Sequence, residues 1–514
     1  MANKPNILFI FPDQQRGDTL GCVGHPVVRT PNLDEIAGQG VTFTRCYTNS
    51  PLCAPARASL QTGQYVSQHG AWNNQIVADP RSPSYVRNIR DTGYRTAVIG
   101  KTHLWKHGIG EATGAHTNDN IQIIRDWGFE DIHELTGPMA STGHDSPYTD
   151  YLREKGLLKA YRGYQIEYVI RNYLLKMTKI IPARLKGLME QYSLSIDVND
   201  ESLWEDPPIP IPSEDHYDSY VGQKSVDWIK AYDDEKPFFL MVGFPGPHDP
   251  FDSPQEYRAV YKPEDIPLGI MEAPEAPVPE YLRRLLVLSG LDRMTASHMQ
   301  HMMAAYYGKV TLIDDYIGRM IGALEEKGML DNTWIVYSSD HGELLGDHRL
   351  CHKMTYYEGA LHIPCIIRPA GGVRGWKSAG LTDHLDLTAT MLDIAGAKPF
   401  EHCDGRSLAL KIAAGPDAGD AQKGKERIYS ELGGIAAVFD GRFKLVTEIK
   451  TREPLQLYDL KNDPRELHNL AEKDSHEIIR RDLLGKLEVH LSKNLDKDRF
   501  KIFEEKGAAR FQDI

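Results

Sequence analysis

A chain of 514 residues can bury a large core and is longer than most single domains. Its formal charge of -13, from 59 basic against 72 acidic residues with no run of Lys or Arg, excludes an extended nucleic-acid face, so any anion site must gather positive charge locally. No stretch reaches the roughly 18 apolar residues of a membrane span, and the six cysteines (22, 46, 53, 351, 365, 403) show no C-x-x-C pair or disulfide framework, as for thiols kept reduced inside a cell.

In chain order, Ile7 to Phe11 is a short apolar run with no small-residue cleavage site near it. It reads as a first strand rather than a signal peptide, and the chain is expected in the cytoplasm. Pro31 to Ala37 has helical spacing, with Thr30 or Asn32 as cap. Cys53 follows among prolines and small residues, a setting for either an exposed reactive group or a half-buried thiol at the start of a helix. Further buried strands are expected at Thr96 to Ile99, Pro237 to Val242 and Thr333 to Ser338, with a helix over Val310 to Leu324 between the last two. Alternating strands and helices imply crossovers and an α/β fold: a large mixed, mostly parallel sheet flanked by helices.

Residues from about 140 to 212 break the rhythm. Tyr151 to Leu188 reads as helical and Trp204 to Pro210 as a stiff linker, together an insertion that either covers the cleft or forms a surface excursion. Pro263 to Pro279 reads as irregular wall. After about residue 400 the texture changes: Ile435 to Phe439 and Arg442 to Val446 flank the hairpin signal Asp440-Gly441, Leu455 to Leu460 adds a strand, and Ile478 to Leu491 closes the unit as an amphipathic helix. The expected division is a catalytic domain over 1–400 and an antiparallel unit over 401–514, whose end from Asp496 is either a frayed tail or an arm onto a neighbouring subunit.

The four strands end on Asp13-Gln14, Lys101-Thr102-His103, His248-Asp249 and Asp340-His341-Gly342-Glu343. In open α/β sheets ligands lie beyond the carboxyl ends of the strands, so these ends are expected to share one cleft. Asp13, Gln14 and Asp340 offer oxygens suited to Ca²⁺ or Mg²⁺, while the imidazole of His341 moves the preference toward Mn²⁺ or Zn²⁺. In an extended segment Lys101 and His103 fall on one side. His248 sits on a loop stiffened by Pro247 and Pro250. Trp72, Trp105, Tyr306 and Tyr356 are either an aromatic wall or core.

Cys53, Pro55 and Arg57 spell C-x-P-x-R, Gly100 to His103 spells G-K-x-H, and Leu457 to Pro464 reads LYDLKNDP. With these motifs the chain resembles the formylglycine-dependent sulfatases over nearly its whole length, which implies an alkaline-phosphatase-like fold. The resemblance implies that a formylglycine-generating enzyme converts Cys53 to an aldehyde whose hydrate is the nucleophile. It places Asp13, Gln14, Asp340 and His341, with the oxygen of residue 53, around one divalent metal, Ca²⁺ foremost with Mn²⁺ or Mg²⁺ also compatible. Arg57, Lys101, His248, Lys353 and Asn74 would bind a small anionic ester, Asn73 competing for the last assignment. His248 or Lys353 would protonate the leaving alcohol, Asp340 would receive the nucleophile's proton, and His103 would deprotonate the second hydroxyl of the hydrate.

The chain departs from the family at Gln64, where an Arg commonly follows Thr-Gly, at Gln14, where many members carry Asp, and at His341, often Asn. Gln14, Asp340-His341 and the run from Gly346 to Lys353 also resemble phosphonate monoester and phosphodiester hydrolases of the same superfamily, whereas the Lys101 and His103 pair favours sulfate. A catalytically silent binding protein with an unmodified Cys53 is the alternative from another class. No nucleic-acid or membrane partner is expected, and a homo-oligomer would form through the C-terminal tail.

Overall fold

The four apolar runs lie side by side in one sheet. The computed structural model describes residues 4–106, 115–171, 183–194, 208–289 and 295–507. The large sheet holds β1 (Asn6–Ile10), β2 (Val41–Phe43), β3 (Arg95–Gly100), β4 (Asp131–Glu134), β5 (Phe238–Gly243), β6 (Thr333–Ser338), β7 (Cys365–Arg368) and β8 (Trp376–Ser378), in the order β8-β2-β7-β6-β1-β5-β3-β4. Strands β4, β3, β5, β1 and β6 are parallel neighbours, and β7 runs against both β6 and β2. The mixed, mostly parallel α/β sheet is therefore present, with the expected strands at its centre.

These strands read as unbroken apolar runs because both faces of the sheet are covered. With side chains alternating along a strand, Leu8 and Ile10 of β1 and Phe238, Leu240 and Val242 of β5 join one core, while Ile7, Phe9, Phe239 and Met241 join the other. The first core is roofed by the helix Tyr217–Ala231 and by a helix spanning Ala296–Glu326. The latter is about twice as long as the stretch expected from Val310; the Thr295 hydroxyl starts it by accepting the N–H of His298 at 3.2 Å. The helices Cys53–Thr62 and His384–Ile394 lie on the opposite face.

The insertion contains the helices Pro147–Glu154, Leu158–Val169 and Ala183–Tyr192. Of the linker expected from Trp204 to Pro210, residues 204–207 lie outside the described part. Helix Leu158–Val169 is not a surface excursion. Gln165 and Tyr168 on it reach the loop that follows β5, where Gln165 donates to Asp252 at 3.4 Å and Tyr168 to Asp249 at 3.4 Å.

The C-terminal unit is an antiparallel sheet of β9 (Ile428–Leu432), β10 (Ile435–Phe439), β11 (Phe443–Glu448) and β12 (Pro454–Asp459). Gly441 takes the left-handed conformation (φ 94°) that the turn between β10 and β11 requires. Helix Glu477–Asn494 covers this sheet through Leu483, Leu487 and Leu491. Neither reading of the tail describes its first part: Lys497–Gly507 is a helix, and its Phe500 and Phe503 pack on Trp72 with ring centroids at 5.1 and 5.7 Å. Residues 508–514 lie outside the described part. Trp72, Trp105, Tyr306 and Tyr356 are all core, none more than 3% exposed. Among the described residues no helix is long and apolar enough to cross a membrane.

Candidate active site

The helix Cys53–Thr62 begins at the extended residue Leu52 and ends at Gly63, whose left-handed φ of 64° lets its N–H close on Ser59. Pro55 is tolerated because the first turn needs no N–H donor there. Alanines at 54, 56 and 58 allow close packing, and every residue of the helix is buried. Cys53 thus stands at the positive end of a buried helix dipole, with Arg57 one turn later on the same face. Asn74 supports this end by accepting the Ala54 N–H at 3.0 Å, whereas Asn73 turns to its own loop and accepts from Gln75 and Ile76. That contact distinguishes the two asparagines.

Arg57 ties together three strand ends. Nε donates to Asp340 at 2.8 Å, Nη2 to Asp13 at 3.1 Å, and Nη1 to the carbonyl of Lys101 at 2.8 Å. Asp13 also meets Lys101 Nζ at 2.6 Å. The Cys53 sulfur lies 3.6 Å from Asp13 Oδ1 and 3.1 Å from His341 Nε2. Gly243, at the end of β5, makes room for this packing, because a Cβ there would sit 2.3 Å from the Lys101 carbonyl oxygen. His103, with left-handed φ (55°), is buried two residues further along the same loop.

A second group joins through Gln14. Its backbone N–H donates to Asp340 at 2.9 Å, its side-chain oxygen accepts from Lys353, and its amide nitrogen donates to Glu343 and, at 3.4 Å, to Asp249. Lys353 reaches His248 Nε2 at 2.5 Å. His248 Nδ1 points at the Asp249 carbonyl at 2.6 Å, which assigns it as donor and leaves Nε2 as acceptor. Of the residues singled out in the sequence, Asp13, Gln14, Cys53, Arg57, Lys101, Asp340, His341, His248 and Lys353 lie in one connected cluster, Asn74 braces the helix end, and His103 sits on the Lys101 loop.

Three acids stand behind the cluster. Glu343 and Asp249 belong to the strand ends expected to share the cleft, but the sequence assigns them no role there, and nothing in it singles out Glu134. Glu134, at the end of β4, accepts from the backbone and hydroxyl of Thr102 and from Trp105 Nε1, so it underlies the Lys101 loop.

The electrostatics follow from this crowding. Burial pushes the Asp13 carboxyl up, yet Lys101, His248, Arg57 and His341 together hold it well below the usual carboxylate range. Asp340 is likewise lowered, burial being outweighed chiefly by Arg57. For the Cys53 thiol, burial and Asp13 act upward but Lys353, Lys101 and His341 win, leaving it at about 6. The cations Arg57, Lys101 and Lys353 supply the local positive charge that an acidic chain needs to hold an anion.

Asp13, Cys53, Asp340 and His341 each present a ligand atom, and these four atoms lie within 4.8 Å of one another, all buried. His341 Nδ1 faces the Gly342 carbonyl at 2.9 Å, which turns Nε2 inward as metal-binding imidazoles require. Two carboxylates and an imidazole fit a divalent cation, and Gln14 stands beside them with its amide held by Lys353 and Glu343.

The chain is similar to known proteins over most of its length. The family model described as "Sulfatase" matches residues 5–397, and one described as "N-sulphoglucosamine sulphohydrolase, C-terminal" matches residues 346–493. A multifunctional alkaline phosphatase superfamily protein, PehA of Trinickia caryophylli, is 28% identical, and the alignment covers 94% of both chains. An arylsulfatase of Clostridium perfringens is 29% identical over 94% of this chain and 95% of its own. Among solved structures, the phosphonate monoester hydrolase of Agrobacterium radiobacter superposes with a TM-score of 0.74 at 26% identity, covering 95% of this chain and 96% of that one. The match over most of the length, on the sheet and cysteine helix just described, establishes that the chain belongs to the sulfatase family.

Proposed function

We propose that the protein hydrolyses a sulfate monoester to an alcohol and sulfate, with residue 53 as the nucleophile after conversion of Cys53 to formylglycine. The observation that carries this reading is the position of the Cys53 sulfur, 3.1 Å from His341 and 3.6 Å from Asp13 at the head of a buried helix that also bears Arg57. That sulfur stands in for the oxygen of a formylglycine hydrate. A divalent cation held by Asp13, Gln14, Asp340 and His341 would polarise the ester and favour the ionised nucleophile.

The chain's own groups supply the rest. Arg57 and Lys101 offset the charge of the sulfate oxygens, and Asn74 keeps the helix end and its N–H groups in place. As the sulfur–oxygen ester bond breaks, its electron pair passes to the alcohol oxygen, which takes a proton from Lys353 directly or from His248 Nε2 as that nitrogen takes up the proton of the Lys353 ammonium beside it. Asp340 receives the proton of the attacking hydroxyl, and His103 removes that of the second hydroxyl so that the aldehyde re-forms and sulfate leaves. The catalytic unit in this reading is residues 1–400, with 401–514 as a supporting unit, and maturation requires a formylglycine-generating enzyme.

A combined measurement of mass and turnover tests the proposal. The peptide carrying residue 53 should be lighter than encoded by the difference between a thiol and an aldehyde, and 4-nitrophenyl sulfate should be turned over by the wild type but not by Cys53→Ala. Equal turnover in the two proteins would end this account.

Hydrolysis of phosphonate monoesters is the second reading, favoured by the likeness to the Agrobacterium radiobacter enzyme over almost the whole chain. The Lys101–Asp13 contact at 2.6 Å, with His103 on the same loop, supports sulfate as the better substrate. A clear preference for an aryl phosphonate in parallel assays would reverse the order.

A further inference from the structure

The loop that carries His248 ends on one buried ammonium. Lys309, in the middle of helix Ala296–Glu326, is fully buried, and its Nζ donates to the carbonyls of His248 at 2.7 Å and Pro250 at 3.0 Å, to Asp252 at 3.0 Å, and to the Tyr217 hydroxyl. Asp252 accepts in turn from Tyr217 at 2.7 Å and from Gln165 at 3.4 Å, and faces His216 at 3.4 Å. On the other flank Asp249 meets His248 Nδ1 at 3.1 Å and His352 at 3.3 Å, and accepts from Tyr168 at 3.4 Å.

An ammonium is taken out of water at high cost unless its protons all find acceptors, and here four acceptors converge on it. Two of them are backbone carbonyls on either side of Asp249, so the peptide plane of His248 has little freedom. With Nδ1 held by the Asp249 carbonyl, the direction of Nε2 follows from that plane.

We propose that Lys309 is a positioning residue that sets where His248 Nε2 stands relative to the leaving oxygen, and that the insertion helix Leu158–Val169 shares this task through Gln165 and Tyr168. The inference rests on the reading of His248 as a group that meets the leaving oxygen. Lys309 does not touch the ester. It acts through the loop, as small displacements of a reacting group are costly in rate.

The test is leaving-group dependence. Lys309→Met combined with Asp252→Asn removes both charges, so that neither is stranded in the core. Phenolate needs a proton to leave, whereas 4-nitrophenolate leaves largely without one. In the double variant kcat for phenyl sulfate should fall on the order of 10- to 100-fold, with kcat for 4-nitrophenyl sulfate within about 3-fold of wild type. In a His248→Ala background the double substitution should add no further selectivity.

Equal losses on the two esters, or undiminished selectivity without His248, would overturn the proposal. If the double variant does not fold, Gln165→Met and Tyr168→Phe should give the same selectivity at about 3-fold, and its absence would overturn the proposal equally. A wild type that turns over neither ester would remove the reading of function beneath it, a result distinct from loss of selectivity.

Discussion

Arg57 and Asp340, 283 positions apart, meet through Nε and Oδ2 at 2.8 Å in a site closed to water. The same guanidinium holds Asp13, so one cation bridges the two carboxylates that flank Cys53 and lies over the ring of Phe11 at 5.0 Å. Removing it has two separable effects. Two buried carboxylates each lose a charged partner, Asp13 keeping Lys101 and Asp340 keeping the Gln14 N–H, which costs up to about 3–5 kcal/mol of stability, and the developing charge on the sulfate loses a donor, which costs about 2.7–4 kcal/mol in the transition state. Arg57→Ala should therefore lower both the urea midpoint and kcat/KM for 4-nitrophenyl sulfate. An active variant of unchanged stability would contradict the geometry.

The donor cluster predicts a ligand-dependent melt. After chelation the protein should melt lower than before, and Ca²⁺, Mg²⁺ or Mn²⁺ should restore it, by about 2.7 kcal/mol when the ion stands at a hundred times its Kd. Asp13→Asn should lose most of this recovery, because that carboxylate offers one of the four converging ligand atoms. Recovery of equal size in the variant would show that the ion binds elsewhere.

Asn73 and Asn74 provide a sharper contrast, since neighbouring residues of one type differ in role. Asn74→Ala removes the acceptor of the Ala54 N–H, a bond of about 1 kcal/mol at a helix end, and loosens the turn that carries residue 53. Its kcat should fall on the order of 10-fold. Asn73→Ala affects a local turn and should leave kcat near wild type. A reversed order of effects would assign the site to Asn73.

What was legible in the sequence depended on how many atoms a role needs. Strands β1, β3, β5 and β6 announced themselves because burial on both faces demands unbroken apolar runs, and their ends carried the polar residues of the cleft. The three-residue strands β2 and β8 are too short for any period, and the reversal of β7 depends on a connection rather than on composition. Lys309 reads as one more cation on a helix, and only its complete burial reveals four acceptors around it. The roles of Glu343, Asp249 and Glu134 were hidden in the same way: a carboxylate at a strand end looks alike in sequence whether it faces water or a buried N–H. Phe500 and Phe503 were lost in a polar tail because their partner, Trp72, lies more than 400 positions earlier.

His69 predicts the pH dependence of stability away from the reacting groups. It is buried, with Nδ1 accepting the N–H of Ala71 at 3.1 Å and Nε2 facing the hydroxyl of Ser59 at 3.0 Å, the pattern of a neutral imidazole. Burial, with the nearby charge of Arg499, pushes its pKa from 6.5 down to about 3. In the unfolded chain it titrates near 6.5, so below that pH the unfolded state binds a proton that the folded state does not. Stability contributed by this residue is complete above pH 6.5 and is lost as pH falls toward about 3, at about 1.4 kcal/mol per pH unit. At pH 5 the loss should be about 2 kcal/mol relative to pH 7.5. His69→Gln cannot take up this proton, so its urea-unfolding free energy should fall by about 2 kcal/mol less than that of the wild type between the same two pH values. Parallel acid sensitivity in the two proteins would mean that His69 is charged in the fold, against the hydrogen bonds that enclose it.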